Sequence, residues 1–316
     1  FSAAKDAYDR NVDQIFSIPN NDPVAFRFPC MDSMNTPSPR AFAEIINKTT
    51  EQGNFLQASS SVLVLLNAND PELPPSLLWD RNGIARFEKY VPFRSFVNKI
   101  ENYPYPYLID GLCWEFPVAV PDDWQGQNLQ GPSNPETTSD IKGVIDATVI
   151  KKGMANITFH PADWIRNDQM VSVIDHVAKR HGDKVLFLNF QECLNRINQN
   201  LLLGQSIRRA TGEDNGVRLV DLNADGFLDV CISNETMART RVWLPDTQTW
   251  HETTFPTPLI QVNSDGKVQS AGVQFGIVRD DGHASILVAN ESHRSGWHFD
   301  GRQWIEDSLL ADALST

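Results

Sequence analysis

The first two hundred positions alternate between two kinds of apolar spacing. Ala3 to Ile15 reads as a helix, and Asn167 to His181 has helical periodicity through Met170, Val173, Ile174 and Val177. Ser38 to Asn47 follows a proline-rich turn and also predicts a helix. Short β-rich runs lie between them: Ser60 to Leu66, Tyr107 to Val120 with Leu112-Cys-Trp-Glu-Phe-Pro-Val118 at its centre, and Lys184 to Leu188. Helices alternating with apolar strands predict an α/β layout with a largely parallel sheet, open or curled into a barrel. After about residue 203 the pattern changes to short strands separated by turns.

That second pattern repeats. Gly216 to Glu235 aligns without a gap over Gly272 to Glu291 at an offset of 56, and Gly216, Val217, Asp225, Gly226, Asn234 and Glu235 all recur. Trp243 and Trp250 recur as Trp297 and Trp304 at an offset of 54, which predicts equivalent packed positions. Each unit reads as an apolar strand, an Asp-Gly turn, a β-branched strand and a Trp-bearing pair. Four short strands in about 40 to 50 residues are the dimensions of a propeller blade. Two blades cannot close a propeller, so further blades are expected beyond Thr316, or the pair packs against the first domain.

Inside the first unit, Asp221-x-Asn223-x-Asp225-Gly226-x-x-Asp229 places oxygen side chains at alternate positions around a glycine turn. Calcium takes six to eight hard oxygen ligands, and an EF-hand loop opens with the same spacing. An EF-hand also needs a Glu at loop position 12 and flanking helices; here that position is Ile232 and the flanks are strand-like. The stretch instead resembles the FG-GAP/VCBS repeats, whose blades carry such calcium loops. The resemblance covers about residues 205 to 316. It implies Ca2+ held by Asp221, Asn223, Asp225, Phe227 (which can contribute only its main chain) and Asp229. In the second unit the positions become Ile277, Arg279, Asp281 and Ser285, so no metal is expected there.

Composition narrows the partners. A net charge of −13 argues against nucleic acid, which needs a basic field. No apolar run approaches the roughly 18 residues of a membrane span. Cys30, Cys113, Cys193 and Cys231 are widely spaced with no CxxC pair, which disfavours a zinc knuckle or redox motif.

Two polar islands in the first domain sit at strand ends. Arg27 lies between apolar residues in Ala25-Phe-Arg-Phe-Pro-Cys30, and His160 ends the strand-like Ile157-Thr-Phe-His before a proline. In barrel folds the carboxyl ends of strands carry the chemistry, and a histidine there suits proton transfer. The plain alternatives are a buried ion pair for Arg27 and a helix cap for His160. The ordered set Arg27-Phe-Pro-Cys, Ser38-Pro-Arg, Phe55-Leu-Gln-Ala-Ser-Ser-Ser, Trp114-Glu-Phe-Pro-Val and Thr158-Phe-His-Pro resembles the polysaccharide deacetylases (NodB homology, carbohydrate esterase family 4) across about residues 1 to 200. That resemblance implies a partial, distorted (β/α) barrel over residues 1–203, followed by all-β propeller-type repeats over 204–316. It implies that Arg27 orients a catalytic base and that His160 is the general acid.

The family's Thr-Phe-Asp-Asp-Gly and His-x-x-x-His motifs, which bind Zn2+ or another divalent metal, have no counterpart in the first domain. His176 and His181 are five apart and follow His160, and Asp280-Asp281-Gly282 belongs to the repeat turn. A fourth-motif aspartate is lacking at Ser59 and Ser60, leaving Asp110, Glu115, Asp122 and Asp123 as substitutes. The chain is therefore expected to be an excerpt, inactive alone, of a secreted, periplasmic or cell-surface enzyme that deacetylates a polysaccharide, with calcium-binding blades attached. The rivals are a non-catalytic glycan-binding or adhesion protein, a glycoside hydrolase using two carboxylates among Glu115, Asp122 and Asp123, and a calcium-stabilised structural module.

Overall fold

A computed structural model describes residues 1–28, 38–91, 99–291 and 293–312. Two units separate at 190/191, as Phe1–Phe190 and Gln191–Thr316. The pattern change near 203 overshoots that division, because the helix Phe190–Asn200 falls almost wholly in the second unit.

In the first unit, helix α1 (Ser2–Phe16) precedes strand β1 (Ala25–Phe26), and α2 (Pro39–Ala41) runs into a π-turn over Phe42–Ile46. Strands β2 (Ala58–Ser59) and β3 (Leu63–Leu65) follow, then α3 (Pro75–Leu78), β4 (Lys99–Glu101), β5 (Tyr107–Ile109), β6 (Cys113–Glu115) and β7 (Val118–Ala119). The strands make two sheets, ordered β1-β2-β6-β5 and β4-β3-β7, and every pairing except β5 with β6 is parallel. Parallel strands covered on both faces read as unbroken apolar runs, and Val62 to Leu66 are all buried. Leu63 to Leu66 pack with Phe87, Tyr90, Val118, Val120, Val144 and Ala147.

Helix α5 (Pro135–Lys151) packs on this core through Val144 and Ala147, α4 (Asp123–Gln130) meets it through Trp124, and α6 (Asn167–His181) packs on α5. Helix α5 starts on an Asn134 cap with Pro135 in its first turn, a favourable helix start. It is buried on most sides and brings charges into the interior: Asp140 meets Lys89 at 2.8 Å and the Tyr90 hydroxyl at 2.8 Å, and Lys151 meets Asp70 at 2.9 Å. Buried charges persist when paired in this way.

The mixed α/β character holds, but among the described residues these sheets stay open and form no closed barrel. Lys184 to Leu188 is not a strand. Residues 182–184 form a 3₁₀ turn, Val185 alone of the run packs onto the α5–α6 core, and Leu186 and Phe187 are exposed. An apolar run with no sheet edge to pair with gains no ladder. Pro29 and Cys30 lie outside the described residues; Cys193 and Cys231 are free thiols.

The second unit contains α7 (Phe190–Asn200), then β8 (Val217–Val220), β9 (Asp229–Ser233), β10 (Ala238–Leu244) and β11 (Thr249–Thr253) as one antiparallel meander. A hairpin of β12 (Ile260–Val262) and β13 (Val268–Ser270) leads to a second meander, β14 (Val273–Ile277), β15 (Ala284–Ala289), β16 (Arg294–Phe299) and β17 (Trp304–Glu306), and α8 (Ser308–Asp312) closes the described chain. Each repeat is thus a four-stranded sheet, and the described residues form two such sheets, not a closed ring. The two share a core of Leu222, Cys231, Val242, Phe255, Leu259, Ala284, Ile286 and Phe299.

The repeated residues have local causes. Gly216 and Gly272 take positive φ, and a Cβ there would stand 2.4 and 2.3 Å from the carbonyl oxygens of Ser233 and Ala289. Asn234 and Asn290 donate from Nδ2 to the carbonyls of Asn215 and Ala271, just before each glycine. The tryptophans are not all at equivalent positions, contrary to the expectation from their common offset. Trp243 faces Trp250 across β10–β11, whereas Trp304 faces Phe299 across β16–β17. Trp243 therefore corresponds to Phe299, and Trp297 to Arg241. The offset stays at 56 through the third strand and falls to 54 only because the last hairpin is two residues shorter. All four rings are partly buried; Trp297 and Trp304 pack on the shared core, and Trp250 packs at a tilt against Trp243 with Arg241 over its face.

Candidate functional site

The first unit gathers its polar residues where the parallel strands end. Arg27 follows β1, Ser60 and Ser61 follow β2, Glu115 closes β6, and Asp122 and Asp123 follow β7. Asn156 continues the parallel arrangement through a bridge to Val118, which places Thr158 and His160 on the same rim. Arg27 donates from Nε to the Ser60 carbonyl at 2.7 Å, from Nη2 to Ser60 Oγ at 2.6 Å and from Nη1 to Thr158 Oγ1 at 2.5 Å. Ser60 Oγ also accepts from Asn156 Nδ2 at 2.7 Å. One side chain therefore ties β1, β2 and the segment bearing His160.

His160 is held by Asp123. Its ring Nδ1 lies 2.7 Å from Asp123 Oδ1, and its main-chain N–H donates to Oδ2 at 2.6 Å. The ring leans on Trp164, with centroids 4.9 Å apart. Asp123 is fully buried while the His160 side chain is 40% exposed, so the histidine is fixed from behind and open in front. The local sequence builds this arrangement. Asp122 caps α4 with a capping box to Gln125, and Asp123 is thereby set in the first helical turn. With Nδ1 bonded to a carboxylate, Nε2 is the nitrogen left for proton transfer.

Two further carboxyls lie behind the rim. Glu115 Oε1 accepts from the Ser61 and Val62 amides at 2.7 and 2.9 Å, while Oε2 is buried without a partner. Asp122 Oδ1 accepts from the Gln125 amide and its Oδ2 is likewise unpartnered. Burial raises both, Asp122 to about 6 with the Asp123 charge adding to the effect. Burial lowers Arg27, opposed by the charges of Asp122 and Glu115. Asp110, the remaining acid considered from sequence, is exposed and accepts from Asn47 Nδ2, away from this rim.

These residues do not furnish a zinc site. Among the described residues, the groups of three ligating atoms gathered within 4.8 Å are Asp146 with His176 and His181, and Asp281 with His283 and His298. The first joins α5 to α6. Asp146 Oδ1 lies 2.8 Å from His176 Nε2 and 2.7 Å from His181 Nε2, and Oδ2 lies 3.3 Å from Arg180 Nε. The five-residue histidine spacing is visible in sequence; the aspartate that joins the pair lies on another helix.

Asp221, Asn223, Asp225 and Phe227 lie in the loop between β8 and β9, and Asp229 opens β9. Asp221 accepts from the amides of Asp225 and Gly226, Asp225 Oδ1 from the Phe227 amide, and Asp229 from the amides of Leu222 and Trp243. Gly226 takes φ 86° and Ala224 φ 60°, folding the loop back on itself. Asn223 Oδ1 is buried without a partner. Burial pushes Asp229 up to about 6, and the charges of Asp225 and Asp221 push the same way. A buried orphan oxygen beside mutually repelling carboxylates fits a cation, although the carboxylates themselves are turned to backbone amides and not drawn as tightly together as the two histidine clusters. In the second repeat, Ile277, Arg279 and Ser285 offer no such set.

No helix of the described residues is long and apolar enough to cross a membrane. No family model, curated protein or solved structure matches the chain.

Proposed function

We propose that the first unit is the acid–base part of a carbohydrate deacetylase acting on an acetylated glycan, and that the second is a calcium-binding module of propeller-blade type. The observation that carries the reading is the joining of Arg27, Asp123 and His160 on one rim of parallel-strand ends, with His160 Nδ1 fixed by a buried carboxylate. In that role His160, protonated, gives its Nε2 proton to the departing amine or alcohol as the acyl carbon–heteroatom bond breaks. Asp123 keeps the ring oriented and stabilises its cationic form. Arg27 holds the histidine segment through Thr158. The residues gathered here leave the metal chemistry of such enzymes unassigned.

The burial of Glu115 and Asp122 weighs against the two-carboxylate hydrolase, since neither side chain reaches solvent. A polymeric substrate and a calcium loop agree with a secreted or cell-surface setting. The test is incubation of the full-length protein with acetylated chitooligosaccharide or acetylated xylan, in the presence of a divalent cation, with acetate and reducing ends both measured. Acetate release that His160→Ala lowers by roughly 10² to 10⁴-fold supports the reading. New reducing ends without acetate would establish the hydrolase instead, and glycan binding with neither product would leave a binding protein.

A further inference from the structure

The turn between β14 and β15 has lost the oxygen set of its counterpart in the first repeat; it has gained the imidazole of His283, and β16 brings that of His298 beside it. At the offset of 56, Asp281 stands where Asp225 does, His283 where Phe227 does and Ser285 where Asp229 does. The strand registers extend this match. Ser285 pairs with His298 as Asp229 would with Val242, one step along the ladder from Arg241 opposite Val230. The second repeat thus substitutes nitrogen ligands at two positions that in the first repeat carry hydrocarbon.

We propose that Asp281, His283 and His298 form a transition-metal site, with zinc(II) the best-suited ion. One carboxylate oxygen and one ring nitrogen from each histidine lie within 4.8 Å of one another. Asp281 Oδ2 is 2.8 Å from His298 Nε2, and Asp281 Oδ1 accepts from the His283 main-chain amide at 3.0 Å. His298 Nδ1 is 3.2 Å from Ser285 Oγ, the kind of outer partner that fixes a ligating imidazole and leaves its other nitrogen for a metal. The two rings stack 6.2 Å apart, tilted by only 18°.

An ion pair between Asp281 and His298 accounts for one histidine only. It leaves His283 Nδ1 buried with no hydrogen-bond partner, which is a cost without a return. A metal accounts for both rings. Imidazole favours zinc, copper, iron and nickel, whereas calcium and magnesium take oxygen. Two histidines and a carboxylate, with a further position left for water, are a known zinc ligand set. Zinc-bound ligand atoms sit roughly 3.3 Å apart given bonds of about 2.0–2.1 Å, so Asp281 and His298 need open by only about half an ångström from their hydrogen-bonded spacing. The Asp281 side chain is 43% exposed and His298 is 7% exposed, which gives the ion an entrance from solvent and a buried seat. The Asp146 cluster makes a weaker case: both its histidines already bond the carboxylate, and Arg180 adds a positive charge beside it.

The test is titration of the full chain, freed of metal, with zinc alone by calorimetry, and with cobalt(II) for its visible absorption as a tetrahedral reporter. The expected result is one equivalent bound at this cluster. His283→Phe and His298→Val restore the residues of the first repeat, so each should fold, and each should weaken zinc binding by at least about tenfold. Asp225→Ala and His160→Ala should leave zinc binding unchanged, which keeps this result separate from the calcium loop and from the deacetylase reading. Absence of zinc binding in the parent chain would overturn the proposal. So would binding that survives His283→Phe and disappears in His181→Ala, because the ion would then sit at Asp146.

Discussion

Asp122 and Asp123 are adjacent and equally buried, yet their surroundings separate their roles. Asp123 has both oxygens engaged by His160, whereas Asp122 has one on a helix amide and one on nothing. Asp122 is pushed up to about 6, so the folded state binds its proton more tightly than the unfolded chain does. Its contribution to stability therefore falls as pH rises from about 4 to 6 and stays unfavourable above that. Asp122→Asn keeps a cap acceptor and removes the buried charge. Melting curves from pH 4 to 8 should show the variant equal to or above the parent at pH 7, with the parent's loss between pH 4 and 6 reduced; a lower melting point at pH 7 would refute this account. Asp123→Asn acts on chemistry instead. An amide can present a donor to Nδ1 and favour the wrong tautomer, so turnover should fall by roughly 10²-fold while KM changes little. A rise in KM with turnover intact would assign Asp123 to substrate binding. Arg27 and His160 could be picked from the sequence because they lie in short motifs of recognisable order. Asp123 could not be chosen over Asp110, Glu115 or Asp122, since a first-turn position and a strand-end position look alike until the helix start is placed.

At the scale of elements, what the sequence revealed was whatever is contiguous. The loop from Asp221 to Asp229 brings its oxygens from nine successive residues, so spacing alone defines it. The Asp281 cluster needs His298 from the next strand, and the Asp146 cluster needs a second helix, so neither shows as a motif. The tryptophan offset misleads for a related reason. A shortened hairpin changes the offset part-way through a repeat, and two tryptophans at the new offset look equivalent when only one is. Lys184 to Leu188 failed as a strand because apolar composition does not supply a pairing edge. The two turns make opposing predictions that one set of variants can check. Asp225→Ala should abolish most calcium binding measured by calorimetry and leave zinc untouched. Asp281→Ala should leave calcium nearly intact and weaken zinc. Equal loss of calcium in both variants would mean that the second turn shares the calcium site, contrary to its ligand set of Ile277, Arg279 and Ser285.

For the whole molecule, the separation into units at 190/191 decides where a ligand's stabilisation should appear. The calcium ligands proposed here all lie in the second unit, between two strands of its first sheet. A ligand that binds only the folded form stabilises it by RT ln(1 + [L]/Kd), about 2.7 kcal/mol at a hundredfold excess over Kd. For a unit of this size that is on the order of 10 °C in melting temperature. The first unit contains none of those ligands and has its own core, built on β3, β7 and α5. Differential scanning calorimetry should therefore resolve a calcium-sensitive transition and a calcium-insensitive one, with EDTA lowering only the former. Tryptophan fluorescence can assign them, because Trp79, Trp114, Trp124 and Trp164 belong to the first unit and Trp243, Trp250, Trp297 and Trp304 to the second. Replacing Trp243 and Trp250 with Phe should remove much of the signal that follows the calcium-sensitive melt and leave the other melt visible. A single transition that calcium shifts as a whole would show the units to be energetically coupled, and a shift confined to the first unit's melt would remove the Asp221–Asp229 loop as the calcium site.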